Sequence, residues 1–408
     1  MNEAGRRFGL FPVQDDELVV GGIKLPQLAA RVGRTPFYAY DRALIEQRVA
    51  ELRAALPQTI SLHYAVKANP MPALVVHVGG LVDGLDVASA GELRVALDAG
   101  MAPREISFAG PGKKEAELES AVAAGILINV ESMREIRLLE SISRRLGLAA
   151  RVAVRVNPDF ELKSSGMKMG GGPKQFGIDA ELVPQALAEI GRRGLAFEGF
   201  HIFSGSQNLR AAAICEAQVK AFDLALRLAE SAPGPLRTIN LGGGFGIPYF
   251  PGETPLELRP IGENLAQISE RVRRDSRDVE LVIELGRYIV GEAGVYVSRV
   301  IDRKVSRGEV FLVVDGGLHH HLAASGNFGQ VIRKNYPVCN GTRVFDGPRE
   351  TVSVVGPLCT PLDLLGDRVD LGRVKEGDLI VVLQSGAYGY TASPQGFLSH
   401  PPPLEVLA

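Results

Sequence analysis

The chain has 408 residues, 46% of them hydrophobic and 23% charged, with 45 Lys plus Arg against 47 Asp plus Glu and a formal net charge of −2. That mix excludes a disordered, collagen-like or coiled-coil chain and gives no general electrostatic claim on nucleic acid or an anionic membrane. Cys215, Cys339 and Cys359 are too few and too scattered for a disulfide framework or a zinc knuckle. The start, MNEAGRRFGLFPVQDD, has no apolar core after its arginines, and no apolar run approaches the ~18 residues a membrane span needs. The expectation is a soluble cytoplasmic protein.

In chain order, the opening segment holds a strand-like run, ELVVGGIKL (17–25). From Thr35, β-rich runs alternate with helical ones. Eight strands are predicted, over 60–66, 81–89, 106–110, 126–132, 151–157, 197–203, 238–244 and 281–286. Between them, GELRVALDAG, KKEAELESAVAAG, ESMREIRLLESISRRLG, LVPQALAEIGRRG and AQVKAFDLALRLAES place apolar residues at three- and four-residue spacing. Such alternation means parallel strands with crossover helices. Eight units in about 250 residues predict an α/β fold, a (β/α)8 barrel over 34–286, ahead of a doubly wound open sheet. From Gly294 the runs GVYVSRVIDRKV, EVFLVVDGG, TVSVVGP and DLIVVLQSG lack intervening helices. Residues 1–33 and 287–408 are therefore assigned to an all-β domain that completes the active site. The irregular stretch PDFELKSSGMKMGGGPKQFG (158–177) is expected to be a mobile loop, the kind that serves as a lid.

In a barrel, chemistry collects where strands end and βα loops begin. The first strand runs into Ala65-Val66-Lys67-Ala68-Asn69-Pro70, and His63, Ala65 and Lys67 share a face by alternation. Lys67 is either a solvated lysine past a strand or an amine in the barrel mouth with a depressed pKa, suited to Schiff-base chemistry. The seventh strand ends in Asn240-Leu241-Gly242-Gly243-Gly244-Phe245-Gly246. That is either a plain turn or a phosphate cradle that no Cβ obstructs. The eighth supplies Glu284-Leu285-Gly286-Arg287. Arg287 suits a phosphate. Glu284 is either its ion-pair partner or a carboxylate for a cationic group deeper in the barrel. Lysine, cradle and carboxylate together match pyridoxal 5′-phosphate: an amine for the aldehyde, donors for the phosphate, a carboxylate to keep the ring nitrogen protonated.

The ordered motifs FYAYD (37–41), HYAVKAN (63–69), GLDVASAGEL (84–93), GSQ (205–207), NLGGGFGIPY (240–249), GRYIVGEAG (286–294), VGPLC (355–359) and GAYG (386–389) span essentially the whole chain. In them the chain resembles the fold-type III pyridoxal phosphate decarboxylases, the diaminopimelate, ornithine and arginine decarboxylase group related to alanine racemase. The resemblance implies Lys67 as the Schiff-base lysine, Glu284 at the pyridine nitrogen, and Ser206, Gly243, Gly244, Arg287 and Tyr388 around the phosphate. It implies Cys359 as the general acid toward the substrate's α-carbon, in a homodimer where Cys359 reaches the partner's barrel. The alternative for Cys359 is a buried inert thiol. By strict count Phe203 holds the place of the ring-stacking histidine, with His201 two residues earlier; either ring can serve. Asp86, with Ser89, Glu131 and Arg155 near strand ends, either tunes the cofactor or is structural.

The departures bear on the substrate. Thr360 stands where diaminopimelate and ornithine decarboxylases carry an acid for the distal amine, and Asp363 is a substitute at a different offset. The segment that would carry a distal-carboxylate arginine reads His319-His320-His321-Leu322-Ala323. Consecutive histidines in an extended segment alternate sides, so no metal is expected; His319 and His320 are candidate substrate contacts. VGPLCTPLD and HHHLAASGN look closest to a subgroup that includes an enzyme acting on glutamate tethered to an acyl carrier protein and exosortase-associated homologues. The expected function is decarboxylation of an L-amino acid or diamino acid derivative, with the carrier-bound form preferred. The alternatives are diaminopimelate decarboxylase, an amino-acid racemase and a non-catalytic regulator.

Overall fold

A computed structural model describes residues 6–160, 167–168, 170–274, 278–328, 330 and 333–408. Most of the central part of the stretch expected to form a lid, 161–166 and 169, lies outside the described residues.

The chain divides into two compact units. One comprises 48–247 and 254–288, the other 1–47, 248–253 and 289–408. The first is a closed barrel of eight parallel strands: Ile60–Ala65, Gly84–Val87, Ile106–Phe108, Leu127–Val130, Arg151–Asn157, Ala196–His201, Thr238–Gly243 and Glu280–Leu285. Leu281–Leu285 pairs in register with Ile60–Tyr64, and Arg151–Val154 with Leu127–Val130, which closes the ring. Two of the strand ends hand over to a helix through a serine cap. Ser89 and Ser132 accept from the backbone N–H of Glu92 and Glu135 three residues on, at 3.2 and 3.3 Å, and start the helices Ala90–Asp98 and Met133–Leu146. Ser89 is thus a helix cap.

The second unit is built on sheet. Gly294–Ser306 lies at its centre, antiparallel to Leu379–Val382, Glu309–Val314 and Phe37–Tyr40. Arg349–Val355 and Leu364–Gly372 extend the sheet on one side. The opening segment forms a meander, Arg7–Phe8, Phe11–Gln14, Glu17–Val20 and Ile23–Lys24, before the helix Leu25–Val32. Phe11, Val13, Leu18, Val20, Leu25 and Leu28 bury against Phe37, Val295, Val297, Leu379 and Val381. Phe37–Tyr40, placed among barrel residues by its position in the chain, is a strand of this sheet. Gly294–Ser306 on one side and Leu404–Leu407 on the other supply its hydrogen bonds.

The three consecutive histidines are buried in this unit, at 0% (His319), 1% (His320) and 0% (His321) exposure. His321 accepts from the Ala324 N–H at Nδ1 (3.2 Å) and lies 2.9 Å from Ser385 Oγ at Nε2. Its neutral, Nε2-protonated form is the one that fits, because a proton on Nδ1 would face another N–H. Burial accordingly pushes its pKa down to about 3. A base depressed in the folded state supports folding fully above its unfolded pKa of about 6.5, and that support is lost as pH falls toward the folded value. The cost is about 1.4 kcal/mol per pH unit below 6.5. The expected result is a Tm that drops on acidification from pH 7 to 4.5, with a shallower slope in His321→Gln. Equal slopes for the two proteins would contradict the assignment.

Candidate functional site

The barrel unit gathers the sequence-predicted residues at the C-terminal ends of its strands. Lys67 sits in a single 3₁₀ turn, Val66–Ala68, directly after the first strand. Its side chain is exposed, and Nζ lies 5.4 Å from the Phe203 ring centroid. Tyr64 Oη donates to the Asn69 carbonyl at 2.9 Å and Asn69 Oδ1 accepts from Met71, so the turn after Lys67 is tied from both sides.

Glu284 is 5% exposed near the end of the eighth strand. Oε2 accepts from Asn240 Nδ2 at 3.3 Å and lies 3.2 Å from His201 Nε2. Burial alone would raise this carboxyl's pKa. The charges of His201, Lys67 and Arg155 and the His201 contact outweigh it and hold the group below the ordinary carboxylate value. The two rings left as alternatives by the sequence thus part company: His201 faces Glu284 inside the barrel, and Phe203 lies near Lys67.

The glycine loop is built for close approach. Gly244 has φ +76°, and a Cβ there would fall 2.0 Å from the Gly205 carbonyl oxygen; at Gly243 it would fall 1.9 Å from that of Glu284. Backbone bonds Asn208 N–H to Gly244 O and Gly246 N–H to Asn208 O, both 2.9 Å, lace this loop to the GSQ loop that carries Ser206. Arg287 begins the short helix after the eighth strand and is partly exposed.

Asp86 lies deeper. Its Oδ1 accepts from Ser107 Oγ and is 3.5 Å from His63 Nδ1. Glu131 binds Arg155 at 2.8 Å and accepts from the N–H groups of Gly110 and Gly177, and Lys113 pairs with Glu135 at 3.1 Å while fully buried. A barrel interior is ordinarily filled by branched apolar side chains. Here His63, Asp86, Ser107, Asn129, His201, Asn240 and Glu284 are buried and polar instead. Sequence reasoning missed Lys113 and Glu135, and it gave no role to Asn240, the first residue of the motif NLGGGFGIPY.

The second unit carries the remaining candidates. Cys359 is exposed, on the turn between Arg349–Val355 and Leu364–Gly372, and Thr360 is half-buried. Tyr388 adopts φ +55°, uncommon for a bulky residue and a mark of a backbone held by its surroundings. His319, His320 and Asp363 are buried within the sheet unit. His320 Nε2 is 3.0 Å from the Pro401 carbonyl, its ring centroid is 3.6 Å from that of His319, and both Asp363 oxygens accept backbone N–H groups. Among the described residues, no group of three His, Cys, Asp or Glu is placed to hold a metal ion. No helix among them is long and apolar enough to cross a membrane.

A primary amine, an ionised buried carboxylate and a loop that only glycines can form are the donor set pyridoxal 5′-phosphate needs. The family model for the pyridoxal binding domain of pyridoxal-dependent decarboxylases matches residues 42–291. The chain belongs to the pyridoxal-dependent decarboxylases. This decarboxylase is 42% identical over 386 residues to the L-glutamyl-[BtrI acyl-carrier protein] decarboxylase of Niallia circulans, covering 91% of this chain and 88% of that one. It is 33% identical over 397 residues to the diaminopimelate decarboxylase of Aquifex aeolicus, covering 97% and 91%. The crystal structure of diaminopimelate decarboxylase from M. jannaschii in co-complex with L-lysine superposes with a TM-score of 0.87 at 25% identity, covering 98% of this chain and 92% of that one. The decarboxylase therefore uses pyridoxal 5′-phosphate and removes CO₂ from an amino acid or amino-acid derivative.

Proposed function

We propose that the substrate is an amino acid carried through its side chain on an acyl carrier protein, a glutamyl group in the first instance. The observation that carries this reading is the state of the Cys359 turn. Thr360 is neutral, and Asp363, four residues beyond Cys359, has both carboxylate oxygens bound by backbone N–H groups. A free diamino acid would leave its distal ammonium without a partner at this turn. A carrier-linked glutamyl group asks for none. Its α-amine must be free to join the cofactor and its α-carboxylate free to leave, so the carrier bond uses the side-chain carboxyl and abolishes the distal charge. The 42% identity to the Niallia circulans carrier-protein enzyme, over most of both chains, supports the same substrate class.

In this reading Lys67 would hold the cofactor covalently, and Phe203, whose ring centroid lies 5.4 Å from Lys67 Nζ, would be the ring available to stack on it. The backbone of Gly243 and Gly244, with Ser206, Arg287 and Tyr388, binds the phosphate. Glu284, oriented by Asn240 and His201, keeps a proton on the ring nitrogen, and Asp86 supports the polar interior beneath it. The bound cofactor supplies an electron sink that lets CO₂ leave the α-carbon. A carboxylate at that nitrogen keeps the sink at full strength, which favours decarboxylation over racemisation. Cys359 Sγ then delivers the proton to the α-carbon, and Thr360 borders the substrate. We further take the enzyme to be a cytoplasmic homodimer. Three free thiols suit a reducing compartment, and the exposed Leu362 (59%), on the same turn as Cys359, suits a surface covered by a second copy.

The deciding measurement is CO₂ release from carrier-bound glutamyl, free glutamate, diaminopimelate and ornithine. The carrier-bound form is expected to exceed every free amino acid by about 10²-fold or more in kcat/KM, because contacts outside the pocket contribute to transition-state binding. Free diaminopimelate turned over equally well would replace this reading with the lysine-pathway one.

A further inference from the structure

We infer that Asp363 is a positioning residue for Cys359: its carboxylate fixes the turn that presents the thiol. The inference rests on the reading of Cys359 as the proton donor. Cys359 sits on a loop between two paired strands, and the loop mouth is closed by Gly356 N–H to the Asp363 carbonyl at 3.0 Å. Within the loop, the Thr360 N–H donates to the Leu358 carbonyl at 2.8 Å and the Asp363 N–H to the Thr360 carbonyl at 3.2 Å. These bonds shape the turn without anchoring it to anything else.

The Asn327 side-chain amide reaches the Leu362 carbonyl at 3.5 Å, and the Asp363 side chain supplies the shorter, buried tie. Oδ2 accepts from the N–H of Leu358, the residue before Cys359, at 2.8 Å. Oδ1 accepts from the N–H of Leu318 at 2.6 Å, on the segment that follows strand Glu309–Val314. One carboxylate therefore ties the cysteine turn to a separate, buried part of the sheet unit. The group is 3% exposed, and charge-assisted bonds of this kind are stronger than neutral ones.

Two glycines make room for it. A Cβ on Gly317 would fall 2.1 Å from Asp363 Oδ1, and one on Gly356 would fall 2.3 Å from Oδ2. Neither glycine has a positive φ, so it is the space and not the backbone conformation that excludes a side chain. The clamp needs the acid, two aligned backbone donors and two bare α-carbons. An amide at the same place would turn an NH₂ against one of the donors and leave a buried N–H without an acceptor.

The test is a double-mutant cycle on the holoenzyme with Cys359→Ala and Asp363→Asn. Asp363→Asn is expected to lower kcat about 10- to 100-fold, the scale of a misplaced catalytic group, with KM changed less than about twofold and borohydride labelling of Lys67 intact. In the Cys359→Ala background the same change should add almost nothing, because its effect runs through the thiol. Gly356→Ala, which crowds the carboxylate from the other side, should reproduce the kcat loss and its disappearance without Cys359, and it serves in full if Asp363→Asn does not fold. Multiplying losses, or a raised KM at unchanged kcat, would overturn the inference and return Asp363 to an independent or substrate-reading role. If Cys359→Ala by itself keeps the full rate, the proton-donor reading fails instead.

Discussion

Replacing Lys67 by alanine is expected to abolish covalent attachment of pyridoxal 5′-phosphate and to lower CO₂ release on the order of 10³-fold or more, the scale of losing a covalent catalytic group. Lys67 follows the first barrel strand directly, on a turn tied by Tyr64 and Asn69, with its Nζ near the Phe203 ring. Glu92 feels its charge, and so does Glu284. Borohydride reduction of the holoenzyme followed by peptide mapping should find the label on the peptide carrying Lys67 and nowhere else. The Lys67→Ala protein should fold with an unchanged Tm in the absence of cofactor, because its side chain is exposed. A label on any other lysine would end the case for this site.

Cys359→Ala is expected to slow the reaction by about 10²–10⁴-fold, the range for a removed general acid, while leaving cofactor loading and labelling of Lys67 intact. The thiol is exposed, whereas Cys339 is buried in the sheet core. Burial pushes the Cys339 thiol well above its ordinary value and makes it inert. A complementation experiment extends the prediction to the assembly. If each site takes Lys67 from one subunit and Cys359 from the other, mixing Lys67→Ala and Cys359→Ala proteins restores roughly a quarter of the wild-type activity, because half of the dimers then contain one intact site. Mixtures no more active than their components would mean that each site is built within one chain.

Much of the candidate site was legible because barrel chemistry gathers at strand ends, and strand ends can be located from periodicity. Lys67, Glu284, the glycine run and Arg287 all fall where the pattern places them. His201 and Phe203 show the limit of that reasoning. Two residues apart, they should share a face, but the strand ends at His201 and the chain departs from extended alternation. One ring goes inward to Glu284 and the other stays near Lys67. The His319–His321 run shows a second limit. It reads from the sequence as a loop offering His319 and His320 to a substrate, and in the folded chain its rings are packed among Tyr38, Tyr296, Tyr336 and His400. Imidazole is amphipathic, and composition alone does not tell a buried ring from a solvated one.

By itself the sequence determined the alternation of strand and helix, the closed parallel barrel, the β-rich remainder and the family, because these depend on spacing along the chain and on ordered local motifs. It could not say which strands pair across long separations. FYAY lies within the span assigned to the barrel, but it is a strand whose neighbours are 294–297 and 404–407, chosen by sheet geometry and not by chain order. Nor could it show that Asp363 is already spoken for. An acid four residues beyond a cysteine reads as available to a substrate until Leu318, forty-five positions away, closes on it. Burial and long-range hydrogen bonding settle which charges face a ligand, and both exist only in the folded chain.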